Sequence, residues 1–284
     1  MIVICGATGR IGGAAARALR SRDIPVRALV RDAEKATSLA AQGCTLATAD
    51  LHDEPAVTDA FRGADRVLVI CPLEPGTDDV AGDCQRMIEV IGVALDVTRP
   101  RAVVAISDYG AHLPAGTGVT LILRRLEERL RAIPVTTTFV RSAEHMQNWL
   151  RQLPAARARG ELPSLHHPVT RLFPTVSADD VGAVAAGLLA APFQSSATPR
   201  VLHVEGPRRY TAADVAAVFT RRLGHPITAC ELPRDDWAKA LAGLGASYAH
   251  LVAELQDVHN EGLIDVEPGG EVRRGTTELA EALG

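Results

Sequence analysis

The 284-residue chain predicts an α/β fold, a doubly wound parallel sheet with a smaller, mainly helical C-terminal subdomain. Three observations lead there. The apolar run Ile2-Val3-Ile4-Cys5 passes straight into Gly6-Ala7-Thr8-Gly9-Arg10-Ile11-Gly12, the pattern of a strand, a glycine turn and a helix start. Strand and helix signals then alternate as far as Val140, a spacing that calls for parallel strands joined by right-handed helical crossovers. From Glu205 onward the rhythm becomes helix-dominated.

The opening strand is apolar at every position, as a strand covered on both faces must be. The helix after the turn, from Ile11 to about Arg20, carries Ala14, Ala15, Ala16 and Ala18, which let it pack closely on a sheet. A second strand is expected at 25–30, a helix at 33–42 closed by Gly43, and a third strand at 44–49 ending in Asp50-Leu51. A short helix over 53–61 leads to a fourth strand at 66–71, and a long helix over 79–94 to a fifth at 101–106. A helix over 117–131 leads to a sixth strand at 135–140. Pro154, Pro163, Pro168 and Pro174 break up 149–174, which predicts a loop folded over the cleft. Ser177 is placed to cap a helix ending at 190, and a strand at 201–204 rejoins the sheet. Helices over 211–223, 235–241 and 248–261, with a short strand near 227–231, complete the pattern.

A hydrophobic share of 47 % is ample for a core, and a net charge of −4 without a basic stripe argues against a nucleic-acid partner. The longest apolar run, Val181 to Phe193, is too short and interrupted to span a bilayer. The chain opens directly into a strand with no basic leader, so a cytoplasmic protein without membrane contact is expected. Five cysteines with no CxxC spacing (Cys5, Cys44, Cys71, Cys84, Cys230) read as free, mostly buried thiols.

The glycine turn is a phosphate cradle. Glycines let the backbone approach a pyrophosphate closely, and free N–H groups at the helix start face its charge. A dinucleotide is therefore the expected ligand, which makes the sheet a Rossmann sheet. Residues 1–148 read as the NAD(P)-binding domain, with 175–204 returning to it, and 149–174 with 205–284 as a substrate-side subdomain. An acid at the end of the second strand would bind the ribose 2′-hydroxyl of NAD(H). That place holds Arg31, whose guanidinium suits a 2′-phosphate, and Arg10 offers a second cation, so NADP(H) is expected over NAD(H). The competing reading pairs Arg31 with its neighbour Asp32 and leaves Arg10 in solvent. Ligands of such sheets lie at the carboxyl ends of the strands. The candidate cofactor contacts are accordingly Gly6, Thr8, Gly9, Arg10, Ile11, Gly12, Arg31, Asp50, Leu51, Cys71, Pro72 and Ser107.

The glycine turn, Leu29-Val30-Arg31-Asp32, Ala49-Asp50-Leu51 and Arg141-Ser142-Ala143-Glu144-His145-Met146-Gln147-Asn148-Trp149 together resemble the NmrA-like group of atypical short-chain dehydrogenase/reductases. Glu205-Gly206-Pro207 and Arg273-Arg274-Gly275-Thr276 carry the resemblance nearly to the end of the chain. It implies a bilobal fold with NADP(H) in the cleft. It also implies one of two roles, reduction of quinones or related unsaturated molecules, or cofactor sensing without chemistry. Mainstream members of that superfamily use a serine, a tyrosine and a lysine four residues beyond the tyrosine. Here Ser107 and Tyr109 are present, but Leu113 stands in the lysine's place. Arg124 and Arg125, just before Glu127, are candidates to orient a ribose or an oxyanion, although an arginine cannot relay protons. The plainer reading, which the sequence favours, puts them on a solvated helix face where Arg125 and Arg129 pair with Glu128 and other acids.

Hydride transfer to a quinone leaves charge on a weakly basic oxygen that solvent can protonate. The candidate groups to bind that oxygen are Ser107, Tyr109, His145 and Asn148, and one well-placed hydrogen bond is worth about 2.7–4 kcal/mol in the transition state. Each also has a structural reading, as a turn cap, a surface ring, a packed histidine or a loop brace. His166-His167 is not read as a metal site, since neighbouring side chains point apart and no further ligands are suitably spaced. The leading expectation is an NADPH-dependent oxidoreductase acting on a small conjugated carbonyl, a quinone or an aromatic metabolite. The alternatives are a non-catalytic NADP(H) sensor that binds a protein partner, and an isomerase or lyase that retains its cofactor. A homodimer is an open expectation for the assembly.

Overall fold

The computed structural model describes residues 1–284. The first half of the chain runs β1 (Ile2–Cys5), α1 (Arg10–Arg20), β2 (Val26–Val30), α2 (Thr37–Ala41), β3 (Thr45–Thr48), α3 (Glu54–Phe61), β4 (Arg66–Val69), α4 (Val80–Thr98), β5 (Ala102–Asp108), α5 (Val119–Arg131) and β6 (Thr136–Ser142). There follow β7 (Glu144–His145), a 3-10 helix over Met146–Gln152, α6 (Leu153–Arg159), β8 (Glu161–Ser164), β9 (Thr175–Val176), α7 (Ala178–Ala190) and β10 (Arg200–Glu205). The chain closes with α8 (Ala212–Leu223), β11 (Thr228–Glu231), α9 (Trp237–Ala240), α10 (Ala246–Glu261), β12 (Glu271–Arg274) and α11 (Leu279–Ala282). Side-chain caps mark several helix starts: Asp53 accepts from the Ala56 N–H, Asp79 from Gly82 and Ser177 from Asp179, while Thr211 and Asp214 cap each other reciprocally.

Eight parallel strands form the main sheet in the order β12-β10-β6-β5-β4-β1-β2-β3. Alternation along β1 sends Ile2 and Ile4 to one face, with Ile11 and Leu19 of α1 and Val181 and Ala185 of α7. It sends Val3 and Cys5 to the other, with Phe61, Ile88 and Leu126 of α3, α4 and α5. Each fully buried aliphatic or aromatic side chain contributes roughly 1.5–3 kcal/mol, so the two faces carry the stability of this domain. Strand order reverses at β1, which has β4 on one side and β2 on the other, and a crevice opens above that point. A third apolar cluster, with Trp149, Phe173, Tyr210 and Phe219, knits the 3-10 helix to α6, β8 and α8, and β8 pairs in parallel with β11.

Several sequence expectations change. Residues 33–42 form a 3-10 turn at Glu34–Ala36 and then the short α2, not one helix. Residues 149–174 are not a plain loop, because Pro154 occupies the first turn of α6, where its missing N–H has no helical partner to lose. Residues 271–274, assigned from sequence to the second subdomain, form the edge strand of the main sheet. That strand has exposed side chains throughout and so no apolar signature. It is held to β10 by backbone pairing and by the bidentate Arg200–Glu271 pair at 2.6–3.0 Å. No helix is long and apolar enough to cross a membrane.

Candidate cofactor cleft and active site

The turn between β1 and α1 has no room for side chains at two points. Gly6 has φ +81°, and a Cβ there would lie 2.9 Å from Cβ of Ile70. A Cβ on Gly12 would lie 2.3 Å from the Gly6 carbonyl oxygen, so both positions require glycine. The Gly9 N–H donates to Gly6 O at 3.2 Å and closes the turn. No side chain caps α1 and no acid stands in its first turn, so its leading N–H groups point at open space with the helix dipole behind them. These are the properties of a diphosphate site.

A cleft of about 850 Å3 begins at this turn. Gly6, Thr8, Gly9, Arg10, Ile11, Gly12, Arg31, Asp50, Leu51, Pro72, His145 and Asn148 all line it. Cys71 does not; it is buried behind Pro72, where its thiol and that of Cys84 both approach the Pro72 carbonyl, at 4.0 and 3.6 Å. Arg31 is 66 % exposed and pairs with Glu74 from the β4–α4 loop. Asp32 turns away to the Glu34 N–H at 2.9 Å and to Lys35 at 3.3 Å, so Arg31 does not take its neighbour as counter-ion. Asp50 accepts from the backbone and ring of His52, whose other nitrogen meets Asp83 at 3.0 Å, tying the end of β3 to α4. Those hydrogen bonds raise the His52 pKa above its ordinary value, the Asp50 bond contributing most.

Ser107 and Tyr109 are away from the cleft. The fifth strand runs two residues further than predicted, which pairs Ser107 with Arg141 of β6 and turns its hydroxyl to the helix side. That hydroxyl donates to Glu127 Oε1 at 2.7 Å, and Arg141 grips the same carboxylate twice, at 2.8 and 2.9 Å, while reaching Glu267 at 2.6 Å. Ser107 thus buttresses a buried ion cluster, its one proton given to Glu127. Tyr109 is 1 % exposed, edge-on to the His203 ring at 5.3 Å, with an unpartnered hydroxyl, and burial raises its pKa further from use. It is a core residue. Neither arginine fills the lysine's place. Arg124 braces the carbonyls of Ala111, His112 and Leu113 and pairs with Glu128, whereas Arg125 forms no ion pair.

The segment after β6 forms the far wall. Gln147 fixes it, donating to Ser177 Oγ at 3.0 Å and accepting from the Ala178 N–H at 3.1 Å. His145 Nε2 lies 3.1 Å from Ser142 Oγ, and the Ser142 hydroxyl donates to Ala143 O at 2.9 Å. The Ser142 hydroxyl has one proton for these two partners, so which group donates in the His145 pair follows the ring's tautomer. Burial pushes the His145 pKa down to about 4, so the ring is neutral at physiological pH and offers no positive charge to an oxyanion. Asn148 lines the cleft with an amide that makes no hydrogen bond inside the protein. Sequence reasoning missed Glu74, Thr77, Asp83, Met87, Gln147 and Arg151, which also line it. The first two follow β4, where the strand-end rule could have found them; the others depend on how α4 and the 3-10 helix dock. His166 is no metal ligand in this arrangement, being stacked on Phe173 at 3.8 Å and bonded to Glu144 and Gln256.

A parallel sheet reversing at a glycine turn, with a cleft above the reversal, defines a dinucleotide-binding protein of Rossmann type. The model of the NmrA-like family matches residues 1–98. The chain is 29 % identical over 293 residues to the NAD(P)H azoreductase of Xenophilus azovorans, covering 99 % of this chain and 97 % of that one. It is 28 % identical to quinone oxidoreductase 2 of Escherichia coli (strain K12), with 86 % and 82 % covered. It is 31 % identical to the (4-alkanoyl-5-oxo-2,5-dihydrofuran-3-yl)methyl phosphate reductase of Streptomyces griseus subsp. griseus, with 89 % and 84 % covered. The solved structure of the NADPH-dependent quinone oxidoreductase QOR2 of Escherichia coli with NADPH superposes with a TM-score of 0.77 at 24 % identity, over 100 % of this chain and 98 % of that one. The chain belongs to the NmrA-like family.

Proposed function

We propose that this protein is an NADPH-dependent reductase that delivers hydride to a small conjugated carbonyl, such as a quinone or an aromatic metabolite. The observation that carries the reading is the single cleft running from the uncapped glycine turn to the free amide of Asn148. The names of the relatives, an NAD(P)H azoreductase and a quinone oxidoreductase among them, support it. When bound, the reduced nicotinamide supplies the hydride. The protein's own residues bind and orient. The turn N–H groups hold the diphosphate, and Arg31 with Arg10 holds the 2′-phosphate. Gln147 keeps the far wall in register, and the Asn148 amide donates to the acceptor's oxygen as charge develops on it. That oxygen is conjugated into an aromatic ring and takes its proton from solvent, so the site needs no acid in place of the buried Tyr109.

The test is loss of NADPH absorbance with a panel of quinones and azo compounds, alongside calorimetry of cofactor binding. Tight NADPH binding with no turnover above background would overturn the reductase reading. It would favour a cofactor sensor, the reading to which the burial of Tyr109 and engagement of Ser107 lend weight. Capture of a protein partner that changes with NADPH would then be expected by linkage. The reductase reading takes the protein as cytoplasmic, with a small-molecule substrate and no nucleic-acid partner, and sedimentation velocity reads whether it works as a homodimer.

A further inference from the structure

Five cationic or titratable basic side chains line the cleft, and three are already engaged: Arg31 with Glu74, His52 with Asp50 and Asp83, and His145 with Ser142. Arg10 stands at the glycine turn. The fifth, Arg151, lies at the end of the 3-10 helix after β6, and its side chain makes no ion pair or hydrogen bond. Every acid that lines the cleft has a partner elsewhere, since Asp50, Asp83 and Glu74 are the groups just named and Asp83 also takes Arg86 at 2.9 Å. None is left to neutralise Arg151.

It follows a strand other than those that present the glycine turn and Arg31. β6 is three strands from β1 and four from β2. Leu73, Leu150, Met87 and Asn148 line the same cleft. The charge is felt locally: burial is the main reason the His145 pKa falls, and Arg151 adds to it, while Arg151 offsets part of the rise that burial imposes on Tyr248. A cleft with one uncompensated guanidinium on the wall that follows β6 suits a conjugated body bearing one anionic group.

We propose that Arg151 binds a carboxylate or sulfonate substituent on the substrate's aromatic ring and so sets the substrate class as acidic aryl compounds. This rests on the reductase reading for its kinetic test. The experiment compares kcat/KM for 1,4-naphthoquinone-2-sulfonate with that for the neutral 2-methyl-1,4-naphthoquinone, in the wild type and in Arg151→Met, Arg151→Glu and Arg151→Lys. The sulfonate-to-neutral ratio is expected to fall about tenfold or more in Arg151→Met, further in Arg151→Glu, and to be largely restored in Arg151→Lys. Raised salt should shrink the wild-type preference. NADPH affinity by calorimetry should stay within about twofold in all variants. An unchanged ratio would overturn the proposal, as would a loss of NADPH affinity that matches the loss in rate, which would assign the cation to the cofactor. If the wild type reduces neither quinone, the reductase reading is what has failed. Titration of naphthalene-2-sulfonate into the NADPH complex then decides on the anchor alone: binding that Arg151→Met abolishes supports it, and binding indifferent to the substitution overturns it.

Discussion

Replacing Arg31 by glutamine removes the cation that the second strand presents to the cleft, and the structure sets the size of the effect. A charge-assisted hydrogen bond to a phosphate is worth about 1.5–3 kcal/mol. Arg31 is 66 % exposed and must first release Glu74, an exposed pair that offsets about 0–1 kcal/mol of the gain. The net of about 1–2 kcal/mol corresponds to a loss of roughly 5- to 30-fold in NADPH affinity. NADH has no 2′-phosphate to lose, so its affinity should change by less than about twofold in Arg31→Gln. Arg31→Asp should widen the difference by adding repulsion. Glu74→Gln should act in the opposite sense, tightening NADPH by about two- to fivefold because the guanidinium no longer has a competitor. Isothermal titration calorimetry at one low ionic strength reads all of these. Equal losses for NADPH and NADH in Arg31→Gln, or no gain in Glu74→Gln, would refute the assignment of Arg31 to the phosphorylated ribose.

Tyr109→Phe should leave turnover unchanged and stability unchanged or raised by up to about 1 kcal/mol, because the buried hydroxyl has no partner to lose; a marked drop in kcat would restore Tyr109 to the site. Asp108 is pushed up to about 7 from 3.8, chiefly by burial, so its folded-state proton is held more tightly than in the unfolded chain and stability drains away as pH rises between those values. Asp108→Asn, which keeps an acceptor for Thr120, should therefore stabilise the fold at about pH 8 by about 1–3 kcal/mol and have little effect near pH 4, read from urea midpoints. In Glu127 burial raises the carboxyl pKa, but the bonds and charge of Arg141, with Ser107 and Arg131, outweigh it and hold the group below 4.5. Its contribution is full above that pH and is lost as pH falls through the lowered value. Glu127→Gln should cost about 3–5 kcal/mol at neutral pH by leaving Arg141 buried without its main counter-charge, and a midpoint shift under about 1 kcal/mol would contradict this.

The sequence by itself determined the parallel sheet, the glycine turn and the residues that stand immediately after β1, β2 and β3. Those signals are local: an apolar run, glycines at positions with no room for a Cβ, and an arginine at a strand end are written within a few residues of one another. Tertiary structure alone decided which side chains around β5 and β6 are free. A two-residue extension of β5 turned Ser107 to Glu127, and packing against His203 took Tyr109 into the core. Ser142 holds Nε2 of His145 at 3.1 Å. The edge strand β12 was likewise invisible, since its exposed charged residues carry no alternation and its pairing with β10 joins segments far apart in the chain. Local chemistry records where a backbone must turn, whereas the availability of a hydroxyl, an imidazole or an amide depends on partners that folding brings from elsewhere.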